Sequence, residues 1–185
     1  LSITIQDGDM REKSRVGKFY VTCVFVVDIS GSMGAEKRME SAKGAVLSLL
    51  EDAYRNRDRV SLVAFRGNEA EIVMPLSSSV DLAYKQLKEM PTGGKTPLAR
   101  GLMKGYEVLM SEKKKRKEII PLLILISDGR ANIGYGKNIK EELMSIAQQL
   151  REEGIHTVII DTESTKRSFV SFKLGYCRDI AENSG

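Results

Sequence analysis

Five side chains with oxygen donors stand where the chain pattern says a strand has just ended or a helix is about to begin. They are Asp28, Ser30 and Ser32 in "VVDISGSMG", Thr96 in "PTGGKTPL" and Asp128 in "SDGRAN". Two carboxylates and three hydroxyls, with no sulfur and no imidazole, make a hard-oxygen set. Such a set suits Mg2+, with Mn2+ or Ca2+ as substitutes, and makes a poor zinc or copper site. Magnesium takes about six oxygens in an octahedron and keeps several as water. Side chains acting partly through water would therefore leave a coordination position for another ligand.

Each fragment also has a plainer reading. Ser32, before "GAEKRME", has the place of a helix N-cap, with Glu36 in the first turn. "PTGGKTP" reads as a tight glycine turn before a helix opened by Pro97. Its "GKT" invites a phosphate-loop reading, but Glu89 stands where that pattern requires a glycine. Asp128 before Gly129 has the composition of a turn. What favours a metal is the coincidence of all three segments at one kind of place. In an open α/β sheet, ligands bind beyond the carboxyl ends of the strands, where strand order reverses.

The elements that would position these residues follow from the apolar pattern. "YVTCVFVV" (20–27), "VSLVAF" (60–65) and "LLILIS" (122–127) are nearly continuous in apolar residues and rich in β-branched ones. Strands covered on both faces of a parallel sheet look like that. "AEIVMPL" (70–76) follows the second run after four residues. That is too short for a parallel crossover, so these two should form an antiparallel hairpin at a sheet edge. "HTVIID" (156–161) is a fifth strand.

Helical spacing joins Met39, Ala42, Val46, Leu49 and Ala53; then Leu98, Leu102 and Leu109; then Ile139, Leu143, Ile146 and Leu150. "VDLAYKQL" (80–87) marks a shorter helix, and Gly154 after "REE" a helix stop. Alternating strands and helices give an α/β fold: a doubly wound, mostly parallel sheet flanked by helices, with one antiparallel edge strand. The first 18 residues read as an irregular lead-in and residues 19–185 as one domain. The chain stops at "AENSG", just past a helix, where a further strand is expected.

Composition narrows the function. The net charge is +4, and the basic run "EKKKRKE" (112–118) has no aromatic interleaving. It reads as a solvated helix end, with no nucleic-acid motif beside it. No apolar segment approaches the length of a membrane span. Cys23 and Cys177 form neither a CxxC pair nor a zinc spacing and read as reduced structural thiols. His156, the single histidine, opens a strand and reads as a strand-edge residue. With no nucleophile–base pair, the domain itself is expected to bind and not to catalyse. Lys95, Arg100 and Arg130 surround the predicted site, either as solvated charge or to steer an acidic partner. Arg66 and Gly67 read as hairpin-turn residues.

"DISGSM" has the D-x-S-x-S form of the von Willebrand factor A domain. Its metal-ion-dependent adhesion site resembles the set Asp28, Ser30, Ser32, Thr96 and Asp128. The resemblance implies that the hydroxyls ligate Mg2+ directly and the aspartates usually through water. It also implies a sheet order 3-2-1-4-5-6 with strand 3 antiparallel. The stretches "RMESAKGAVLSLLEDAYRNRDRVSLVAFRGNEAEIVMP", "LKEMPTGGKTPLARGL" and "PLLILISDGRANIG" resemble the C-terminal domain of the magnesium chelatase D subunit. That family implies a cytoplasmic, ATP-dependent ligase inserting Mg2+ into protoporphyrin, with an AAA+ ATPase subunit and a porphyrin-binding subunit as partners. Neither the AAA+ region nor its acidic, proline-rich linker lies in these residues, and the chain opens on Leu1, so a fragment of a longer protein is expected. Cobalt chelation or metalloenzyme maturation with an AAA+ partner is the alternative. An extracellular adhesion module fits the cysteine usage less well.

Overall fold

Successive residues of a strand point to opposite faces, so a strand covered on both sides must be apolar throughout. The computed structural model describes residues 20–30, 44, 48, 51–53, 55–56, 58–77, 85–86, 93–128, 138–161, 180 and 184. In it β1 (Tyr20–Asp28) is buried from Thr22 onward. Val24 and Val26 join one apolar cluster, while Cys23, Phe25 and Val27 join a second on the opposite face. β2 (Arg59–Arg66) divides likewise, Val63 and Phe65 against Leu62 and Ala64.

β3 (Glu69–Ser77) turns back along β2 as an antiparallel partner, as the short link requires. The link is tighter than the apolar pattern suggests, because both strands extend into it and leave a turn at Gly67 and Asn68. Gly67 has φ 63°, a conformation that side chains other than glycine's adopt at a cost. β4 (Ile119–Ser127) lies parallel to β1 on its other side, and β5 (His156–Asp161) parallel to β4. The sheet order is β3-β2-β1-β4-β5. Strand order thus reverses at β1, between β2 and β4, and the residues following β1 and β4 meet at that crevice.

Among the described residues two helices cover the first cluster's face, and the buried, helical Ile180 joins them there. α1 (Leu98–Lys115) buries Leu98, Leu102 and Leu109, and α2 (Ile139–Glu152) buries Leu143, Ile146 and Leu150, the positions their spacing marked. Gly101 lets α1 lie close to the sheet, since a Cβ there would fall 2.4 Å from Phe65 Cδ1. Asn138 caps α2 by accepting from the Glu141 N–H. At its other end Gly154 turns with φ 64°, and the Ile155 N–H returns to the Leu150 carbonyl at 2.9 Å.

Of the first helical pattern, residues 44, 48, 51–53 and 55 are helical, and Ala53 packs on the second cluster. Met39, Ala42, Val46 and Leu49 lie outside the described residues, as do residues 1–19, Arg130 and Cys177. In the pattern at 80–87, Lys85 and Gln86 are helical. Cys23 is a buried free thiol, pushed up to about 12 chiefly by burial and further by Asp58, which keeps it protonated and inert.

The basic run 112–118 needs one correction. Residues 114–118 are exposed, as a solvated helix end should be, but Glu112 is 3% exposed. It accepts from Arg59 of β2 and pairs with Arg116 Nε at 3.1 Å.

Candidate metal centre

β1 ends on Asp28, which is 5% exposed although it is a carboxylate. As the chain leaves the sheet, the Ile29 N–H donates to the Phe65 carbonyl of β2 at 3.2 Å. Ser30 then folds back on the strand end. Its N–H donates to Asp28 Oδ1 at 2.9 Å and its hydroxyl to the same oxygen at 2.5 Å. The other carboxylate oxygen is held from β4, where Ser127 Oγ donates to Asp28 Oδ2 at 2.9 Å.

Thr96 arrives from a loop far away in sequence, and its Oγ1 lies 2.6 Å from Ser30 Oγ. Two backbone hydrogen bonds fix that loop. The Gly93 N–H donates to the Ile29 carbonyl at 2.9 Å, and the Gly67 N–H donates to the Lys95 carbonyl at 2.8 Å. The β2–β3 turn therefore braces the loop from one side and the segment after β1 from the other. Gly94, with φ 100°, lies close enough that a Cβ would stand 3.4 Å from the Gly67 nitrogen. The Pro97 carbonyl accepts from the Arg100 and Gly101 N–H groups, which starts α1 directly behind Thr96. Pro97 is the N-cap, one position before the helix it was expected to open.

Of the five residues singled out, Asp28, Ser30 and Thr96 form one connected oxygen cluster. Asp128 follows Ser127 at the end of β4, and its charge acts on Asp28. Ser32 lies outside the described residues. Ser127 is the residue the sequence reading missed: it looked like the last residue of an apolar strand, and only the β1–β4 pairing brings its hydroxyl to Asp28.

Burial pushes the Asp28 carboxyl up to about 6. The hydrogen bonds from Ser30 and Ser127 pull the other way, and the neighbouring Asp128 adds to the rise. Among the described residues no lysine or arginine pairs with Asp28. A hard cation among these oxygens would oppose both upward pushes, and a carboxylate ringed by hydroxyls is the donor chemistry such an ion takes. Among the described residues no three His, Cys, Asp or Glu side chains come together, so the cluster is built mainly from hydroxyls. His156 sits exposed at the start of β5, the end remote from Asp28.

A mostly parallel sheet with one antiparallel edge pair, helices packed on it and oxygen donors at the reversal of strand order defines a doubly wound α/β domain with a candidate cation site at its switch point. The von Willebrand factor type A domain family matches residues 23–170, and the chain belongs to that family.

The chain is 44% identical over 153 residues to an uncharacterized protein of Methanocaldococcus jannaschii, covering 83% of this chain and 86% of that protein. It is 38% identical over 174 residues to the magnesium-chelatase 67 kDa subunit of Chlorobaculum tepidum, covering 88% of this chain and 28% of the subunit. With the 60 kDa subunit of Cereibacter sphaeroides, identity is 40% over 144 residues, 75% of this chain and 25% of that one. The chain thus spans about a quarter of the length of these chelatase subunits. Among solved structures, the SpRpn10 VWA domain superposes with a TM-score of 0.65 at 9% identity, covering 91% of this chain and 83% of that one, and so shares the fold. Among the described residues no helix is long and apolar enough to cross a membrane.

Proposed function

We propose that this domain is a metal-dependent docking module of a magnesium-chelatase-type assembly. Asp28, Ser30, Ser32, Thr96 and Asp128 would hold Mg2+, which would present an open position to an aspartate or glutamate of a partner subunit. The bound ion would supply a fixed positive charge that accepts an anionic ligand. The chain's own residues supply the rest: Ser30 and Ser127 orient the Asp28 carboxylate, and the Gly93 and Gly67 hydrogen bonds hold Thr96 in reach. The observation that carries this reading is that Ser30 Oγ lies 2.5 Å from Asp28 Oδ1 and 2.6 Å from Thr96 Oγ1, a residue 66 positions further along the chain.

The chelatase context rests on the relationship to the 60 and 67 kDa subunits. In that context the partner is the AAA+ ATPase subunit or the porphyrin-binding subunit, and the metal inserted into porphyrin is substrate and not the ion held here. The test is association of the chain with a chelatase ATPase subunit in Mg2+, in EDTA, and with Asp28→Ala. Binding that needs Mg2+ and Asp28 supports the proposal. Binding indifferent to both contradicts it.

A further inference from the structure

The loops that build the oxygen cluster also carry two exposed cations. Lys95 immediately precedes Thr96, and Arg66 ends β2 beside the turn whose Gly67 N–H binds the Lys95 carbonyl. Among the described residues neither makes an ion pair, although Glu69 stands opposite Arg66 in the β2–β3 register. The other exposed acid on that strand, Glu71, faces Ala64 in register and is equally unengaged with either cation.

Positive charge at the edge of a cation site is unhelpful to the cation, because like charges at close range repel. The two side chains therefore do not serve metal retention. They suit an anion that arrives at the metal from solvent and brings further negative charge with it. The backbones that carry them are joined by the same Gly67–Lys95 hydrogen bond that braces Thr96, so both side chains start from fixed points beside the loop that carries Thr96.

Resting on the docking reading above, we infer that Arg66 and Lys95 form a basic rim that selects an acidic protein segment bearing two carboxylates, one for the metal and a second for the rim. Oppositely charged rims change encounter rate and orientation, and each exposed pair adds little alone. The selection is therefore graded and falls with salt.

The experiment uses the full chain with saturating Mg2+ and synthetic peptides carrying one glutamate, or two separated by zero to three glycines. Affinity is followed by NMR titration, and Mg2+ affinity separately by Mn2+ competition. The best two-glutamate peptide should bind about three- to tenfold tighter than the single-glutamate peptide. That advantage should vanish in Arg66→Ala/Lys95→Ala, while Mg2+ affinity stays the same or rises up to about twofold. Equal affinity of all peptides for the wild-type chain overturns the inference, as does an advantage that survives in the double variant. If no peptide binds the Mg2+-loaded chain, or binding ignores Mg2+, the docking reading itself falls, and the Mn2+ competition shows separately whether the metal site stands.

Discussion

Asp28 and Glu112 are both nearly inaccessible carboxylates, at 5% and 3% exposure, and they lie toward opposite ends of the sheet. Glu112 sits in the penultimate turn of α1 beside the start of β2, where the guanidinium groups of Arg59 and Arg116 neutralise it. Asp28 sits at the far end of β1 with hydroxyl and amide donors around it and a second carboxylate as its charged neighbour. A buried charge needs a counter-charge, or it shifts toward its neutral form. One carboxylate has its cations within the chain and ties α1 to β2. Among the described residues the other is held in shape without one, which is the arrangement expected where the cation comes from outside.

Breaking the paired carboxylate should have the largest effect on folding. Arg59→Ala leaves Glu112 with the more exposed Arg116, and should lower unfolding free energy by about 3 kcal/mol in urea titrations, with little effect on metal affinity. Asp28→Asn should act in the opposite direction. Removing a charge that the metal-free fold holds against burial should stabilise it by about 1–3 kcal/mol at neutral pH, while abolishing Mg2+-dependent association.

The same contrast has a pH signature. With its folded value raised to about 6, Asp28 keeps its proton in the folded chain over a range where the unfolded chain has lost it. The folded state therefore binds more protons between about pH 4 and 6, so this group's contribution to metal-free stability falls as pH rises through that window and is level above it. Melting temperatures across that range should show a falling component in the wild type that Asp28→Asn lacks. The smallest effect is expected at Ser127. Ser127→Ala removes the donor to Asp28 Oδ2 and should weaken Mg2+ binding about tenfold and lower metal-free stability by about 1 kcal/mol, and Ser127→Thr should restore part of both.

The sheet was legible because β1, β2 and β4 must be apolar on both faces, and their runs show it directly. The β2–β3 hairpin followed from link length alone. Asp28, Ser30, Thr96 and Asp128 were legible as oxygen donors at element ends, since the switch point of such a sheet is where they had to converge. Ser127 was not, because a serine closing a strand carries no mark of what its neighbouring strand presents. Nor were the Gly67–Lys95 and Gly93–Ile29 bonds, which use backbone groups that any sequence supplies. Glu112 did leave a signal that the charge run obscured. Leu98, Leu102, Gly105, Leu109 and Glu112 continue one stripe at spacings of three and four, so the acid falls on the buried face.

The most direct measurement is a Mn2+ titration of the full chain near pH 7.5, followed by electron paramagnetic resonance with Mg2+ as competitor, for wild type and Asp28→Ala. The account predicts one site in the wild type, displaced by Mg2+ and absent in Asp28→Ala, with Arg59→Ala binding as the wild type does. A wild-type chain that binds no ion, or an Asp28→Ala chain that binds equally well, would contradict it.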